Sequence, residues 1–315
     1  MKPIIACSKF LMSSLVFLVL LSSCQKMNDF YPNPKVTAKK SITQLVSSAS
    51  NLKFLEAAVI RAGLAETLAK PGTFTIFAPT DEAFKTAGFK SIDDVKKADP
   101  KVLEAILLYH ALNTVVPSDA VQGANAKAVK TLSGNDFYVT GKNGEVWVND
   151  AKVILKNVYA SNGIIHIIDK VLIAPTKDLV ELAQSNPNLS ILVAAVVKAG
   201  AVGVLQSEGP FTVFAPTNKA FEDLLVKLKL ASLNDIDNDL LLTVLKYHLI
   251  PARVFSYNLS EGLMPVTVQG STVKISLSGG AKVKGMSNTD PSNIIAVNIL
   301  ATNGVVHVID QVLLP

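Results

Sequence analysis

From residue 41 onward, the spacing of apolar residues predicts helices before strands. Ser41 and Gln44 have the arrangement of a capping box, in which each side chain accepts a backbone N–H of the other residue. Asn51 is predicted to cap a second helix, whose apolar residues recur three and four positions apart. Asp99 followed by Pro100 predicts the start of a further helix, because the first helical position needs no N–H partner.

The segments that follow these helices have the pattern of strands. Residues 73–77 alternate threonine with phenylalanine or isoleucine, which indicates a strand. Residues 137–148 predict a hairpin that turns at Asn143 and Gly144. Residues 164–171 are β-branched on both faces, which is typical of a strand buried on both sides. Helices followed by strands in one stretch of chain favour an α+β fold.

Three motifs occur twice, in the same order and at nearly constant separation. They are Thr-Phe-Thr-Ile-Phe-Ala-Pro-Thr (73–80) with Pro-Phe-Thr-Val-Phe-Ala-Pro-Thr (210–217), Tyr-His (109–110 with 247–248), and Asn-Gly-Ile-Ile-His-Ile-Ile-Asp (162–169) with Asn-Gly-Val-Val-His-Val-Ile-Asp (303–310). A separation of about 140 residues is too long for a solenoid repeat and has the size of one ordinary domain. The chain is therefore predicted to contain a duplicated domain.

The repeats place the two predicted domains at residues 41–173 and 178–315. The link between them, residues 174–177, is short and contains a proline. Such a link does not act as a free tether. We therefore expect the domains to touch or nearly touch, with limited relative motion.

The N-terminus has the order of a bacterial lipoprotein signal. Lys2 and Lys9 give a positively charged start, and an apolar run of 12 residues (10–21) follows. This run is too short for a membrane-spanning helix, which needs ~20 apolar residues. The run ends in Leu-Ser-Ser-Cys, which resembles the lipobox, in which the cysteine is acylated after cleavage. Residues 1–24 are thus predicted to be a signal peptide, with Cys24 carrying lipid into the bilayer. An ordinary secretory signal with a chance cysteine is the alternative.

Residues 25–40 are predicted to be a flexible tether, because they contain two prolines and few aliphatic side chains. A flexible segment of this length has an r.m.s. span of roughly 20–25 Å.

Cys7 leaves with the signal peptide, so Cys24 has no partner for an internal disulfide. The formal net charge is +5, of which Lys2 and Lys9 contribute two, so +3 remains after cleavage. Because no cluster of Lys and Arg with interleaved aromatic residues occurs, no nucleic acid partner is expected.

The three repeated motifs resemble the signature boxes of fasciclin (FAS1) domains. The resemblance covers nearly all of residues 41–315. It implies two tandem domains, each a β-wedge or sandwich of about seven strands with a cluster of helices, and a role in cell adhesion and matrix contact without a known catalytic centre. In animal members the Tyr-His motif is associated with integrin binding, which implies Tyr109, His110, Tyr247 and His248 as a candidate interaction motif. A bacterium has no integrins of its own, so that partner is not carried over.

The candidate chemistry of the chain lies in four histidines, which all belong to the repeated motifs: His110, His166, His248 and His307. A zinc site needs three or four ligands, and no free cysteine thiol is expected in the mature chain, because Cys7 is removed and Cys24 is acylated. We therefore predict that the histidines are buried, hydrogen-bonded structural residues. The sequence contains neither a Gly-x-Ser-x-Gly elbow nor a phosphate-binding glycine loop. The prediction is a protein without catalytic residues, cofactor or metal.

The single tryptophan, Trp147, lies in the predicted hairpin, and Lys282 and Lys284 occupy that region of the second repeat. Any surface built around Trp147 is therefore expected to belong to the first domain alone.

Two functions follow from these observations. The first is a non-catalytic adhesion or binding lipoprotein that contacts matrix, polysaccharide or another cell through its tandem domains. It would be monomeric and lipid-anchored in the cell envelope, at the outer membrane. The alternative is a periplasmic or surface carrier of a small apolar ligand.

The lipid anchor is directly testable with Cys24→Ala. Because the thiol of Cys24 is the predicted site of acylation, the variant should leave detergent-extractable membranes and appear in the soluble fraction. Cell fractionation and immunoblotting measure the distribution. Retention of the variant in membranes at the original level would contradict the anchor.

Overall fold

The computed structural model describes residues 39–315. Within this range, each half of the chain forms one mixed sheet with helices packed on it, an α+β arrangement. We refer to the elements α1–β7 as domain 1 and α7–β13 as domain 2. The predicted signal peptide (1–24), Cys24 and residues 25–38 of the predicted tether lie outside the described residues.

Domain 1 contains a seven-stranded sheet with the order β2-β1-β7-β6-β5-β4-β3. Its helices are α1 (Ile42–Ser48), α2 (Lys53–Arg61), α3 (Ala65–Ala69), α4 (Asp81–Thr86), α5 (Ile92–Lys97) and α6 (Pro100–Tyr109). Its strands are β1 (Phe74–Pro79), β2 (Ala111–Leu112), β3 (Lys127–Lys130), β4 (Asp136–Lys142), β5 (Glu145–Val148), β6 (Ala151–Ala160) and β7 (Gly163–Ile168). β1 and β7 are parallel, and the other neighbours are antiparallel.

Domain 2 repeats this order with a six-stranded sheet, β10-β11-β12-β13-β8-β9. Its helices are α7 (Leu179–Gln184), α8 (Ser190–Lys198), α9 (Val202–Gln206), α10 (Asn218–Leu228) and α11 (Asn238–Tyr247). Its strands are β8 (Phe211–Pro216), β9 (Leu249–Ile250), β10 (Lys274–Ser276), β11 (Lys282–Lys284), β12 (Ser292–Ala301) and β13 (Gly304–Ile309).

The strand equivalent to β3 is reduced in domain 2 to a single bridge between Val266 and Thr272. Pro265 occupies the position that Val129 has in β3, and proline has no N–H to continue a ladder. This substitution explains why the expectation of about seven strands holds for domain 1, whereas domain 2 has six.

The helix caps confirm most of the local predictions and correct one. The backbone N–H of Ser41 donates to Gln44 Oε1 at 2.9 Å, as a capping box requires. The prediction that Asn51 caps α2 is wrong: the N-cap residue is Leu52, which makes no side-chain cap. Asp81 of α4 instead accepts the N–H of Phe54 at 2.8 Å. The cap comes from the tertiary structure, because the start of α4 packs against the start of α2.

β7 separates two apolar layers, so both of its faces are buried as predicted. Ile165 and Ile167 point into a layer formed with the helices, which also contains Phe84 and Leu103. Ile164 and Ile168 on the other face are fully buried, and Ile168 packs in the layer inside the folded sheet. The corresponding strand of domain 2, β13, is also buried along its whole length.

Two β-bulges interrupt each of the strands β6 and β12, at equivalent positions: the first contains Ile154 or Ile295, and the second contains Asn157 or Asn298. The asparagines of the second bulges have φ of 58° and 61°, a region that asparagine tolerates better than most residues. Each side chain bonds a serine of the preceding 3₁₀ turn: Ser118 N–H donates to Asn157 Oδ1 at 2.9 Å, and Ser256 N–H donates to Asn298 Oδ1 at 2.7 Å. The bulges therefore hold a connecting turn against the sheet.

Asn162, which opens the last motif of domain 1, joins the start of the domain to its final strand. Its Oδ1 accepts the N–H of Ile42 at 2.9 Å, and its Nδ2 donates to the carbonyls of Leu68 and Lys70 at 2.7 and 2.9 Å. Asn303 makes the equivalent bonds in domain 2. The asparagine thus satisfies three backbone groups, one in α1, one in α3 and one in the residue that caps α3.

We expect Asn162→Ala to destabilise domain 1 by about 3 kcal/mol, because three buried hydrogen bonds are lost together. Urea unfolding followed by the fluorescence of Trp147 measures the change. Asn135→Ala, at an exposed loop position, is the matched control and should change stability by less than ~0.5 kcal/mol. Equal midpoints for the two variants would contradict this role of Asn162.

Candidate interaction surfaces

The two tyrosines of the Tyr-His motifs are buried in apolar clusters, Tyr109 in domain 1 and Tyr247 in domain 2. The side chain of Tyr109 is 1% exposed and that of Tyr247 is not exposed. The hydroxyl of Tyr109 donates to the carbonyl of Asp136 at 2.9 Å, and that of Tyr247 donates to the carbonyl of Thr272 at 2.5 Å. Burial raises the pKa of Tyr109 to about 12. Both tyrosines therefore anchor the first residues of a hairpin to a helix end.

The histidines that follow them close the C-terminal ends of α6 and α11. Nδ1 of His110 donates to the carbonyl of Ile106 at 2.8 Å, and its Nε2 accepts the N–H of Leu172 at 2.9 Å. His248 makes the same two bonds, to Val244 and Leu313. Burial lowers the pKa of both histidines to about 4. Each neutral imidazole thus ties a helix end to the segment after the last strand.

The mid-strand histidines hold the connection that crosses the sheet. Nε2 of His166 donates to the carbonyl of Val116 at 2.9 Å, and its Nδ1 accepts the N–H of Asn157 at 3.3 Å. His307 repeats both contacts in domain 2. Burial lowers the pKa of both imidazoles. The prediction that the four motif histidines are buried and hydrogen-bonded is confirmed.

The candidate interaction motif is therefore not at the surface of this conformation. Tyr109, His110, Tyr247 and His248 are each 2% exposed or less. A partner would reach them only if α6 or α11 left the core, so a contact role for these four residues stays a prediction.

Within residues 39–315, no three His, Cys, Asp or Glu side chains come together as a metal site would require. In the same range, no helix is long and apolar enough to cross a membrane.

A buried arginine links the two domains. Arg253, in the segment after β9, lies 3.9 Å from the ring centre of Tyr138 in β4 and donates to its hydroxyl at 3.1 Å. The same guanidinium donates to the carbonyl of Gly304 at 2.5 Å within its own domain. Arg253 is 7% exposed, and desolvation lowers its pKa. A cation over an aromatic face in a desolvated site stabilises by about 2 kcal/mol or more.

An aromatic stack completes the contact between the domains. The rings of Trp147 and Tyr257 are parallel within 15° and 4.6 Å apart, and Phe255 stacks on the other side of Tyr257 at 5.3 Å. The hydroxyl of Tyr257 donates to the carbonyl of Asn149 at 2.6 Å. The prediction that the domains touch is confirmed. Trp147 has no counterpart in domain 2, as expected, but domain 2 covers part of it.

We name Tyr138, Trp147 and Asn149 the domain-contact face of domain 1. Its partners, Arg253 and Tyr257, are not predictable from the repeated motifs, because neither residue belongs to one. The signal for them in the sequence is a difference between the two copies: Val115 and Asp119 occupy the equivalent positions in domain 1.

Comparison with known proteins agrees with the paired architecture. The family profile described as "Fasciclin domain" matches residues 50–174 and 187–315. The chain belongs to the fasciclin-domain family. Fasciclin domains are typically extracellular binding modules without catalytic activity.

Two mammalian proteins are among the relatives of this fasciclin protein. It is 32% identical over 249 residues to the pig transforming growth factor-beta-induced protein ig-h3, covering 78% of this chain and 35% of that protein. It is 28% identical over 279 residues to human periostin, covering 86% and 31%. The chain thus spans about a third of the length of these relatives.

Two further similarities involve a bacterial surface protein and a solved structure. The cell surface glycolipoprotein MPB83 of Mycobacterium bovis is 33% identical over 106 residues, covering 34% of this chain and 46% of that protein. The fasciclin domain pair of the insect cell adhesion molecule fasciclin I matches with a TM-score of 0.42 and 22% identity, covering 84% of this chain and 96% of that one.

Each fasciclin domain has an apolar groove between its first helices and its sheet. The groove of domain 2 has about 40 Å³ of free space, and the polar residues in its lining are Lys246 and His248. The groove of domain 1 has about 60 Å³ of free space and is more polar, with Ser47 and Glu56 in its wall. The two grooves therefore differ in chemistry although their positions correspond.

The neutral histidines predict a pH dependence of stability. His110 and His248 have a pKa of about 4 in the folded chain, below the ordinary value of 6.5. Below pH 6.5 the unfolded chain binds protons that the folded chain does not, so stability should fall from pH 6.5 down to about pH 4. The expected loss at pH 5 is about 2 kcal/mol for each of these two histidines.

Urea unfolding at pH 7.5 and pH 5.0 measures this loss. NMR titration of the folded protein provides an independent check, because the ring signals of His110 and His248 should not shift between these pH values. A ring signal that titrates near pH 6.5 would contradict the burial of that histidine.

Proposed function

We propose that this protein is a non-catalytic binding lipoprotein of the cell envelope, which contacts matrix, polysaccharide or another cell through its fasciclin pair. The signature residues support this function indirectly. Because their side chains are occupied inside the fold, contacts with a partner fall to the residues that differ between and around the motifs. Membership of a family of extracellular binding modules supports the same proposal.

The observation that carries the proposal is a pair of exposed aliphatic side chains at equivalent bulges. Ile154 in β6 is 54% exposed and Ile295 in β12 is 57% exposed. Each is the extra residue of its bulge, which turns it away from the buried pattern of its strand. Leu155 and Val297 extend the two patches, with 51% and 41% exposure. These neighbouring exposed side chains offer a small apolar surface on each domain, and larger surfaces of this chemistry mark protein or ligand contact sites.

The contact between the domains holds these two patches in one relative geometry. Arg253 on Tyr138 and Tyr257 on Trp147 restrain the rotation that a linker alone would permit. A partner with repeated features can then engage both patches at once. A linked second contact raises avidity by ~10²–10⁴ without a new kind of contact.

The proposed location is the outer membrane, through acylated Cys24 and the tether of residues 25–40, with the pair acting as a monomer. The lipobox-like sequence supports the anchor, and the similarity to a surface glycolipoprotein supports exposure on a bacterial envelope. In this arrangement the boundaries 41–173 and 178–315 place domain 1 nearest the lipid.

A carrier of a small apolar ligand is the second candidate, favoured by the groove of domain 2. Its walls are almost wholly leucine, valine and alanine, as in many small-molecule sites. Saturable binding of an apolar fluorescent probe that Ala183→Phe in α7, in the wall of this groove, abolishes would favour this function over adhesion.

The adhesion proposal predicts that both aliphatic patches contribute. In the full-length chain, Ile154→Asp and Ile295→Asp should each weaken binding to cells or isolated envelope polysaccharide, because a charge replaces an apolar contact. The double variant should lose the avidity that depends on simultaneous contact, on the order of 10²-fold or more. Surface plasmon resonance on immobilised polysaccharide, or a cell-binding assay, measures the affinities.

Val226→Asp is the matched control, since Val226 in α10 is 77% exposed and lies outside both bulges. It introduces the same charge and should leave binding unchanged. If the two bulge variants bind as well as the control does, adhesion through these patches is wrong.

A further inference from the structure

The domain-contact face of domain 1 has an equivalent in domain 2 that is not used between the domains. The hydroxyls of Tyr109 and Tyr247 bond the carbonyls of Asp136 and Thr272, so Tyr138 and Lys274 both lie two residues after an anchored position. These two residues therefore occupy the same place in their hairpins.

The second strand of each hairpin gives the remaining correspondence. Trp147 pairs with Lys152, and Lys282 pairs with Asn293. The N–H groups of Lys152 and Asn293 donate to equivalent aspartates, Asp169 and Asp310, each at 2.7 Å. Trp147 thus corresponds to Lys282.

Two residues further along the same strands, Asn149 corresponds to Lys284. All three residues of the domain-contact face are therefore lysines in domain 2. We name Lys274, Lys282 and Lys284 the terminal lysine face.

The three lysines share the outer side of the β10–β11 hairpin. Lys274 and Lys284 are direct cross-strand partners, and Lys282 lies two residues before Lys284 on the same side. Ile275 and Val283 between them point inward and are fully buried. Like charges directly opposite each other destabilise a strand pair.

Carboxylates within the described residues do not neutralise this face. None of the three lysines forms an ion pair among residues 39–315. Glu261 lies near enough for Lys274 to lower its pKa, but its Oε2 accepts the N–H groups of Leu277 and Ser278 at 2.5 and 3.3 Å. The positive charge is therefore directed to solvent.

A second copy of the chain does not fit this face well. In a head-to-tail array, the lysines would meet the domain 1 segment in which Val115 and Asp119 replace Arg253 and Tyr257. One carboxylate would then face three ammonium groups in a desolvated contact, which leaves uncompensated charge. The lysines and the Val115 and Asp119 substitutions therefore disfavour head-to-tail association of the chain. They leave a cationic face that is available to another kind of partner.

We propose that the terminal lysine face binds a linear acidic polysaccharide through its carboxylate groups. Lys282 and Lys284 are about 6.6 Å apart along the strand and cross-strand neighbours about 5 Å apart, from ordinary sheet dimensions. The face therefore presents several positive charges to adjacent anionic groups of an extended chain. This inference rests on the proposed binding function and names one class of partner for domain 2.

The test compares the detergent-solubilised full-length chain with its Lys274→Gln/Lys282→Gln/Lys284→Gln variant. Polygalacturonate is the probe, and neutral dextran is the uncharged reference. The variant should bind polygalacturonate about tenfold or more weakly at low salt, because three surface charge contacts are lost. Its affinity should also depend less steeply on salt concentration, since fewer counterions are released.

Lys90→Gln/Lys97→Gln/Lys101→Gln is the matched control, with the same change of net charge at exposed positions of domain 1. It should bind like the parent chain. The variant of the terminal lysine face should also unfold at equal or higher urea concentration, because the cross-strand repulsion is removed. Weak binding by this variant therefore does not result from loss of the fold.

Several outcomes would overturn the inference. These are equal binding by the two triple variants, no binding of the parent chain to polygalacturonate, or equally strong binding to neutral dextran. Stronger lysine-dependent binding to vesicles containing anionic lipid would assign the face to a membrane, and lysine-dependent dimers in sedimentation would assign it to a second copy. If the lysine variant binds normally while Ile154→Asp/Ile295→Asp abolishes cell binding, this inference fails and the proposed function stands.

Discussion

The parallel pairing of β1 with β7, and of β8 with β13, is the contact on which each domain depends. It joins a strand near the start of the domain to the last strand, so the whole intervening chain must cross over the sheet. Both β7 and β13 are buried on both faces, so polar groups along this seam need partners inside the protein. The signature motifs supply those partners: Asn162 and His166 each bond backbone groups of distant segments.

This constraint explains why the recognisable residues of the family are not those available to a partner. His110, His166 and their counterparts are neutral, buried connectors between elements that are far apart in sequence. Replacing one of them leaves buried backbone groups without partners, which costs more than the hydrogen bond itself contributes. The residues that bind a partner can therefore differ between members on bulges, hairpin faces and groove walls, where a substitution does not disturb the parallel strand pairing.

The two copies use one hairpin face for different purposes. In domain 1 it carries Tyr138 and Trp147, which stack on a cation and a ring of domain 2. In domain 2 the same positions carry lysines, which oppose each other across the strands. The same hairpin face thus forms the contact between the domains in domain 1 and a charged, solvent-facing surface in domain 2. Divergence of a few surface residues within one scaffold is enough to separate these roles.

The sequence alone determined what depends on neighbouring residues or on repetition: the duplication, the Ser41 and Asp99 caps, the hairpin at Asn143, the doubly buried β7 and the structural histidines. Tertiary structure decided contacts between segments with no common period. Asp81, rather than Asn51, caps α2, and Tyr257 covers Trp147 from 110 positions away in the chain. Side-chain periodicity records which face of an element is buried, but not which distant segment covers it. The partner of each face follows only from how the elements pack.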